Sequence, residues 1–235
     1  MTVIDNNFTA QRDPAGAPAL RDEPTSDASN SPTQGGVGAK DRIMATANEL
    51  FYHEGIRAVG VDRLISESRV TKATFYKHFG AKETLVVCYI NARHDTAREL
   101  LGQLAESSAT TEAAIHAIVD DIVDQVRSRR FRGCAFINAA TEFPDGHHVV
   151  REVVAAHRDW YTAFVADLFR RLGHPMPGDA ADEFMLLRDG TMSGGYASDP
   201  IAASAAMQRC VSRLLRESGT RESGTHESQA RESHT

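Results

Sequence analysis

The chain has 235 residues, a formal net charge of −6 and 41% hydrophobic residues, enough apolar material for a core, which excludes wholesale disorder. No apolar run approaches the roughly 18 residues that a membrane helix needs, and the N-terminus lacks the basic segment and apolar stretch of a secretory signal. Cys88, Cys134 and Cys210 are odd in number and far apart, with no CxxC spacing. That argues against a disulfide framework or a zinc site, so no metal or cofactor is expected, and a reducing cytoplasm fits best.

In chain order, residues 1–38 come first, rich in Asp, Ser, Pro, Gly and Ala and without apolar periodicity. Such a segment cannot offset the entropy of ordering, and it reads as a disordered extension. Ile43, Ala47, Leu50 and Phe51 then fall on one helical face, followed by Gly55 as a helix-ending glycine. Val61, Leu64 and Ile65 mark a second, short helix, and Phe75 and Phe79 a third. A long helix starts near Ala81. Ile115, Ile118, Val119, Ile122, Val123 and Val126 form a regular stripe. A wider stripe runs from Val150 to Leu172, through His157, Trp160, Tyr161 and Phe164, and its width predicts packing on two sides. Phe184–Tyr196 and Ile201–Leu215 complete the helices. No strand-period run appears, so the fold class is all-α. After Arg216 the repeat RESGT-RESGT has no hydrophobic face, and residues 217–235 read as a disordered tail.

Two short helices joined by about three residues and preceded by a longer one form a helix-turn-helix arrangement. Val61–Ser68 is the first element, Arg69-Val70-Thr71 the turn, and Thr71 the cap of the second element. Phe75 and Phe79 anchor that helix. Its free face carries Lys72, Ala73, Tyr76 and Lys77, with Thr71, Thr74 and His78 at the margins, groups that reach phosphates and base edges. From Lys40 to Glu83 the eight Lys and Arg residues outnumber the six Asp and Glu residues, giving +2 within a chain of −6. A basic face on an acidic body suits contact with DNA on one side, although a solvated amphipathic helix explains the same charge.

The stretch IMATANELFYHEGIRAVGVDRLISESRVTKATFYKHFGAKETL resembles the DNA-binding domain of the TetR family of transcriptional regulators. The aligned features include Ala47, Leu50-Phe51, Gly55, Val61, Leu64, Thr71-Lys72, Thr74-Phe75-Tyr76, Phe79, Lys82-Glu83 and Leu85. The resemblance implies a DNA-binding domain over 39–84 that contacts double-stranded DNA through Thr71, Lys72, Ala73, Thr74, Tyr76, Lys77, His78 and Lys82. It implies a ligand-binding and dimerisation domain over 85–216, a homodimer through the last two helices, a palindromic operator and a small-molecule effector that releases a repressor. Three positions depart from the pattern. Arg69 stands where the turn usually has Gly, Gly60 where a Ser or Thr usually caps, and Ile65 where a small residue is usual. A left-handed backbone at Arg69 would carry a Cβ penalty.

Within 85–216, RGCAFINAATEFPDGHHVVRE resembles a segment found in some branches of the family. Asn138 and Glu142, one turn apart, either line a cavity or serve a cap or internal hydrogen bond. His157, Trp160, Tyr161, Phe164, Met185 and Met192 are core residues of the kind from which apolar pockets in helical bundles are also built. Two alternatives stand beside ligand-responsive repression. One is a DNA-binding regulator that senses a protein partner. The other is an α-helical hydrolase using Cys134 with His147, His148 or His157, for which no nucleophile elbow or phosphate loop is present.

Overall fold

The computed structural model describes residues 38–219, in which helices account for all regular structure. The expected extension and the repeat tail lie outside the described residues, except that the last helix continues past Arg216. The helices are α1 (Ala39–Glu54), α2 (Val61–Glu67), α3 (Lys72–Phe79), α4 (Lys82–Ser107), α5 (Thr111–Arg127), α6 (Ala135–Glu142), α7 (Val149–Arg171), α8 (Pro177–Ala197) and α9 (Pro200–Gly219). Among the described residues, no helix is long and apolar enough to cross a membrane.

The apolar stripes set the packing. Ile43, Ala47, Leu50 and Phe51 are the buried residues of α1, and all six members of the Ile115–Val126 stripe are buried on α5. On α7, Val150, Val154, His157, Tyr161, Val165 and Leu168 are buried, while Val153, Trp160 and Phe164 pack at its flanks. This helix contacts α4, α5, α6 and α8, as its broad stripe requires. α6 was not among the elements expected as helices. It has only eight residues, about two turns, too short a window for helical periodicity to be read along the chain. α8 also begins earlier than its apolar residues suggest, because Pro177 suits a first helical turn.

α4 is the element shared by both ends of the molecule. It packs on α1 and α3 on one side and on α5, α6 and α7 on the other. α7, α8 and α9 form the most extensive helix–helix contacts. Leu186 and Ile201, 72% and 69% exposed, leave large apolar side chains on the outside of α8 and α9.

Arg69 is the one non-glycine among the described residues with a left-handed backbone, at φ 52°. It sits between Ser68, buried and bonded through Oγ to Leu64 O at 2.5 Å, and Val70, whose N–H donates to Ile65 O at 3.2 Å. The short link between α2 and α3 imposes the conformation, and Arg69 bears its steric cost. Arg69→Gly is therefore expected to raise stability by roughly 0.5–1 kcal/mol, after the entropy that glycine loses on folding. Urea unfolding checks this; a lowered midpoint would mean that the Arg69 side chain contributes more than its backbone costs.

Candidate nucleic-acid interface

α3 is built by its first residue and its two phenylalanines. Thr71 Oγ1 accepts from Thr74 N–H at 3.1 Å, closing the first turn, and lies 2.8 Å from Thr74 Oγ1. Phe75 is fully buried and Phe79 is 4% exposed, their ring centroids 6.1 Å apart. This fixes which face α3 turns outward. Thr71, Lys72, Ala73, Tyr76, Lys77 and His78 are exposed, and Thr74 is half-buried. Tyr76 is 43% exposed, its ring braced edge-on against Phe75 at 5.4 Å. α3 carries no acidic residue, and Lys72, Lys77 and Arg69 form no ion pair among the described residues. Arg63, by contrast, is held by Glu54 and Glu67 and is not a free cation. Lys82 opens α4 with its ammonium 5.9 Å from the Phe51 ring, and partial burial lowers its pKa.

Of the eight candidate pocket residues, the four on α7 lie together. His157, Trp160, Tyr161 and Phe164 form one aromatic cluster on α7, joined by His94 of α4, whose Nδ1 lies 3.0 Å from His157 Nδ1. Met185 and Met192 are buried on α8. Asn138 instead ties down the preceding loop, donating from Nδ2 to Arg132 O at 2.7 Å. A cleft of about 310 Å³ opens between α6 and α7, lined by Phe136, Ile137, Ala140, Thr141, Arg151, Val154 and Arg158. None of the eight lines it.

Glu142 does something that local spacing does not reveal. Its carboxylate accepts from the backbone N–H of Ile56 at 2.8 Å and of Arg57 at 2.6 Å, in the loop after α1. Gly55 allows the turn that presents these N–H groups: its φ is 96°, a backbone that residues with a Cβ rarely adopt. Tyr52 forms a second tie, donating to Gly133 O and accepting from Arg132 N–H, both at 3.0 Å. A third joins His148 to Glu83: Nδ1 accepts from Val150 N–H at 3.2 Å, so Nε2, 2.8 Å from Glu83 Oε1, bears the proton. These ties connect α1 and the start of α4 to the loop before α6, its end and the start of α7. The residues paired through Tyr52 and Glu142 are about 80 or more apart in sequence, so local spacing allows an internal hydrogen bond at Glu142 but does not name its partners.

The three-helix unit with its outward α3 face matches residues 43–87 to the family described as "Bacterial regulatory proteins, tetR family". A solved TetR-family transcriptional regulator from Streptomyces coelicolor is 37% identical, with a TM-score of 0.74, covering 76% of this chain and 95% of that one. The chain belongs to the TetR family. Its fold is the all-α TetR fold with an N-terminal helix-turn-helix, and it is a DNA-binding transcriptional regulator. The HTH-type transcriptional regulator LmrA of Bacillus subtilis is 26% identical over 85 residues, which are 36% of this chain and 45% of that protein. The matched segment thus spans under half of that relative. The reduced form of NemR from E. coli shares the fold at 18% identity and a TM-score of 0.64, covering 73% of this chain and 95% of that one.

Proposed function

We propose that this TetR-family regulator is a cytoplasmic repressor whose homodimer holds a palindromic operator through α3 and releases it when a small, mostly apolar effector binds among α4–α8. The observation that carries the DNA reading is the face of α3: exposed Lys72, Ala73, Tyr76, Lys77 and His78, with no acidic residue on the helix. Lysines and a phenol supply phosphate contacts, and Ala73 lets the helix approach a groove closely. Lys82 and the uncapped first turn of α4 extend the same surface for a phosphate. The exposed Leu186 and Ile201 on α8 and α9 favour pairing of these helices with a second copy, which would place two α3 helices on one operator.

The release step rests on the ties described above. Glu142, Tyr52 and His148 link α1 and α4 to the elements around α6, so a ligand that favours another position of α6 shifts the α3 spacing by its differential affinity for the two states. Fluorescence anisotropy on DNA from upstream of the protein's own coding sequence tests the reading. Affinity is expected to fall steeply with salt. Lys72→Ala with Tyr76→Ala is expected to weaken binding by about 30-fold or more and to lower the log–log salt slope by about 1. Unchanged affinity in the double variant would remove α3 from the interface.

A further inference from the structure

The end of α5 and its link to α6 hold four arginines within six residues, Arg127, Arg129, Arg130 and Arg132, all exposed. From Thr84 to Asp199 the chain otherwise carries seven Lys and Arg residues against 17 Asp and Glu residues. The link is therefore a basic island on an acidic body. Like charges this close repel one another, and an anion would relieve them. Little within the chain does so. Arg130 pairs with Glu49 of α1 and also lies 3.2 Å from His53 Nε2. Arg127, Arg129 and Arg132 form no ion pair among the described residues, although Asp124 stands one turn before Arg127 on α5.

The link is also pinned. Phe131 N–H donates to Ser128 O at 3.0 Å, and Arg132 is held at both backbone groups, by Tyr52 and by Asn138. The Arg132 guanidinium lies 5.2 Å from the ring of Tyr196, which Phe131 braces edge-on at 6.5 Å. Tyr196 is 46% exposed. A guanidinium stacked on a ring keeps its N–H edge for an acceptor. Because folding has already ordered this backbone, an anion meets a preformed surface. The surface is bonded to the reading unit itself. Tyr52 and Glu49 belong to α1, which packs on α2 and α3. Glu54, at the same end of α1, holds Arg63 of α2.

We propose that the arginine link, with Tyr196 beside it, is a second DNA contact that takes backbone phosphates of the duplex read by α3, whatever its base sequence. An acidic peptide would meet the same charge, but DNA is the polyanion that this regulator already holds. Its regularly spaced phosphates suit several guanidiniums at once, and the planar fork of arginine matches phosphate oxygens. Such contacts add affinity and fix position without reading bases. The inference rests on DNA binding alone and is independent of repression and of any effector.

The test uses the full chain and fluorescence anisotropy on two duplexes, the DNA upstream of its own coding sequence and a scrambled duplex of the same length. The variant is Arg127→Gln with Arg129→Gln, two exposed side chains whose removal breaks no ion pair; circular dichroism and thermal unfolding check that it folds as the wild type does. It is expected to bind both duplexes about tenfold or more weakly at low salt. Its log–log salt slope is expected to be lower by about 1.8, for two phosphate contacts. Between about 50 and 200 mM salt the wild type should then lose about tenfold more affinity than the variant. The preference for upstream over scrambled DNA is expected to stay unchanged. Arg127→Lys with Arg129→Lys keeps both charges and is expected to keep the wild-type slope. Wild-type affinity and slope in the Gln variant would overturn the contact. So would a loss confined to the upstream duplex, which would mean that the arginines act through the setting of α3. A changed oligomeric state on gel filtration with an unchanged slope would assign the link to a second copy and likewise overturn it. Lys72→Ala with Tyr76→Ala, run in parallel, keeps the two surfaces apart: an effect there with none at the arginines leaves α3 as the interface and removes the link.

Discussion

Truncation of Phe75 to alanine is expected to lower folding stability by about 3–5 kcal/mol, the cost of removing a fully buried aromatic ring and leaving its space empty. Phe75 has no exposed surface and belongs to the core cluster that includes Ile43, Ala47, Leu64 and Phe79. α2 and α3 have seven and eight residues, too short to persist as isolated helices, so packing on these residues is what holds them. The loss is therefore expected to appear twice: as a lower urea midpoint with an unchanged m-value, and as weaker DNA binding although no DNA-facing group has been removed. Phe75→Leu keeps most of the volume and is expected to cost about 1.5 kcal/mol or less. A Phe75→Ala loss below about 1 kcal/mol would mean that the site collapses freely and that the ring does not position α3.

Acidification is expected to destabilise the protein through His157. Burial, then the charge of Arg188, with His94 and Arg158 adding to it, lowers its pKa from 6.5 to about 3. The sign follows from where the proton binds. Between pH 6.5 and about 3 the unfolded chain takes up a proton that the folded chain refuses, so stability is full above pH 6.5 and falls as the pH drops through that window. At about 1.4 kcal/mol per pH unit, the loss from this residue is about 2 kcal/mol by pH 5 and levels off near pH 3. Carboxylates add their own acid dependence, so the measurement compares slopes. His157→Phe keeps a ring against Phe136, removes the titrating group and is expected to flatten the decline between pH 6.5 and 5 by about 2 kcal/mol. Equal slopes in the two proteins would show that His157 takes up its proton in the folded state as readily as in the unfolded chain.

The helix-turn-helix was legible because everything that defines it is local. The face Ile43-Ala47-Leu50-Phe51, the cap at Thr71 and the pair Phe75–Phe79 all lie within a few turns of their partners, so the spacing of residue types determined which side of each helix is buried. The departure at Arg69 was equally readable: a link that usually needs Gly holds an arginine, and the backbone there is left-handed.

The interior resisted the same reading. Asn138 and Glu142 sit one turn apart, yet one secures Arg132 O and the other clamps the N–H groups of Ile56 and Arg57. Nothing in the local sequence marks Arg188 as a buried charge; its position against Tyr161, Cys134 and Asp189 does. The sequence by itself determined the all-α class, the apolar faces of most helices and the outward face of α3, because helix periodicity and capping are short-range. Tertiary structure alone decided which polar groups meet across about 80 residues, and hence the ties between α1 and α6 and the shared carboxylate of Arg158 and Arg188. Those pairings depend on how helices cross in space, a property no local pattern of residues encodes.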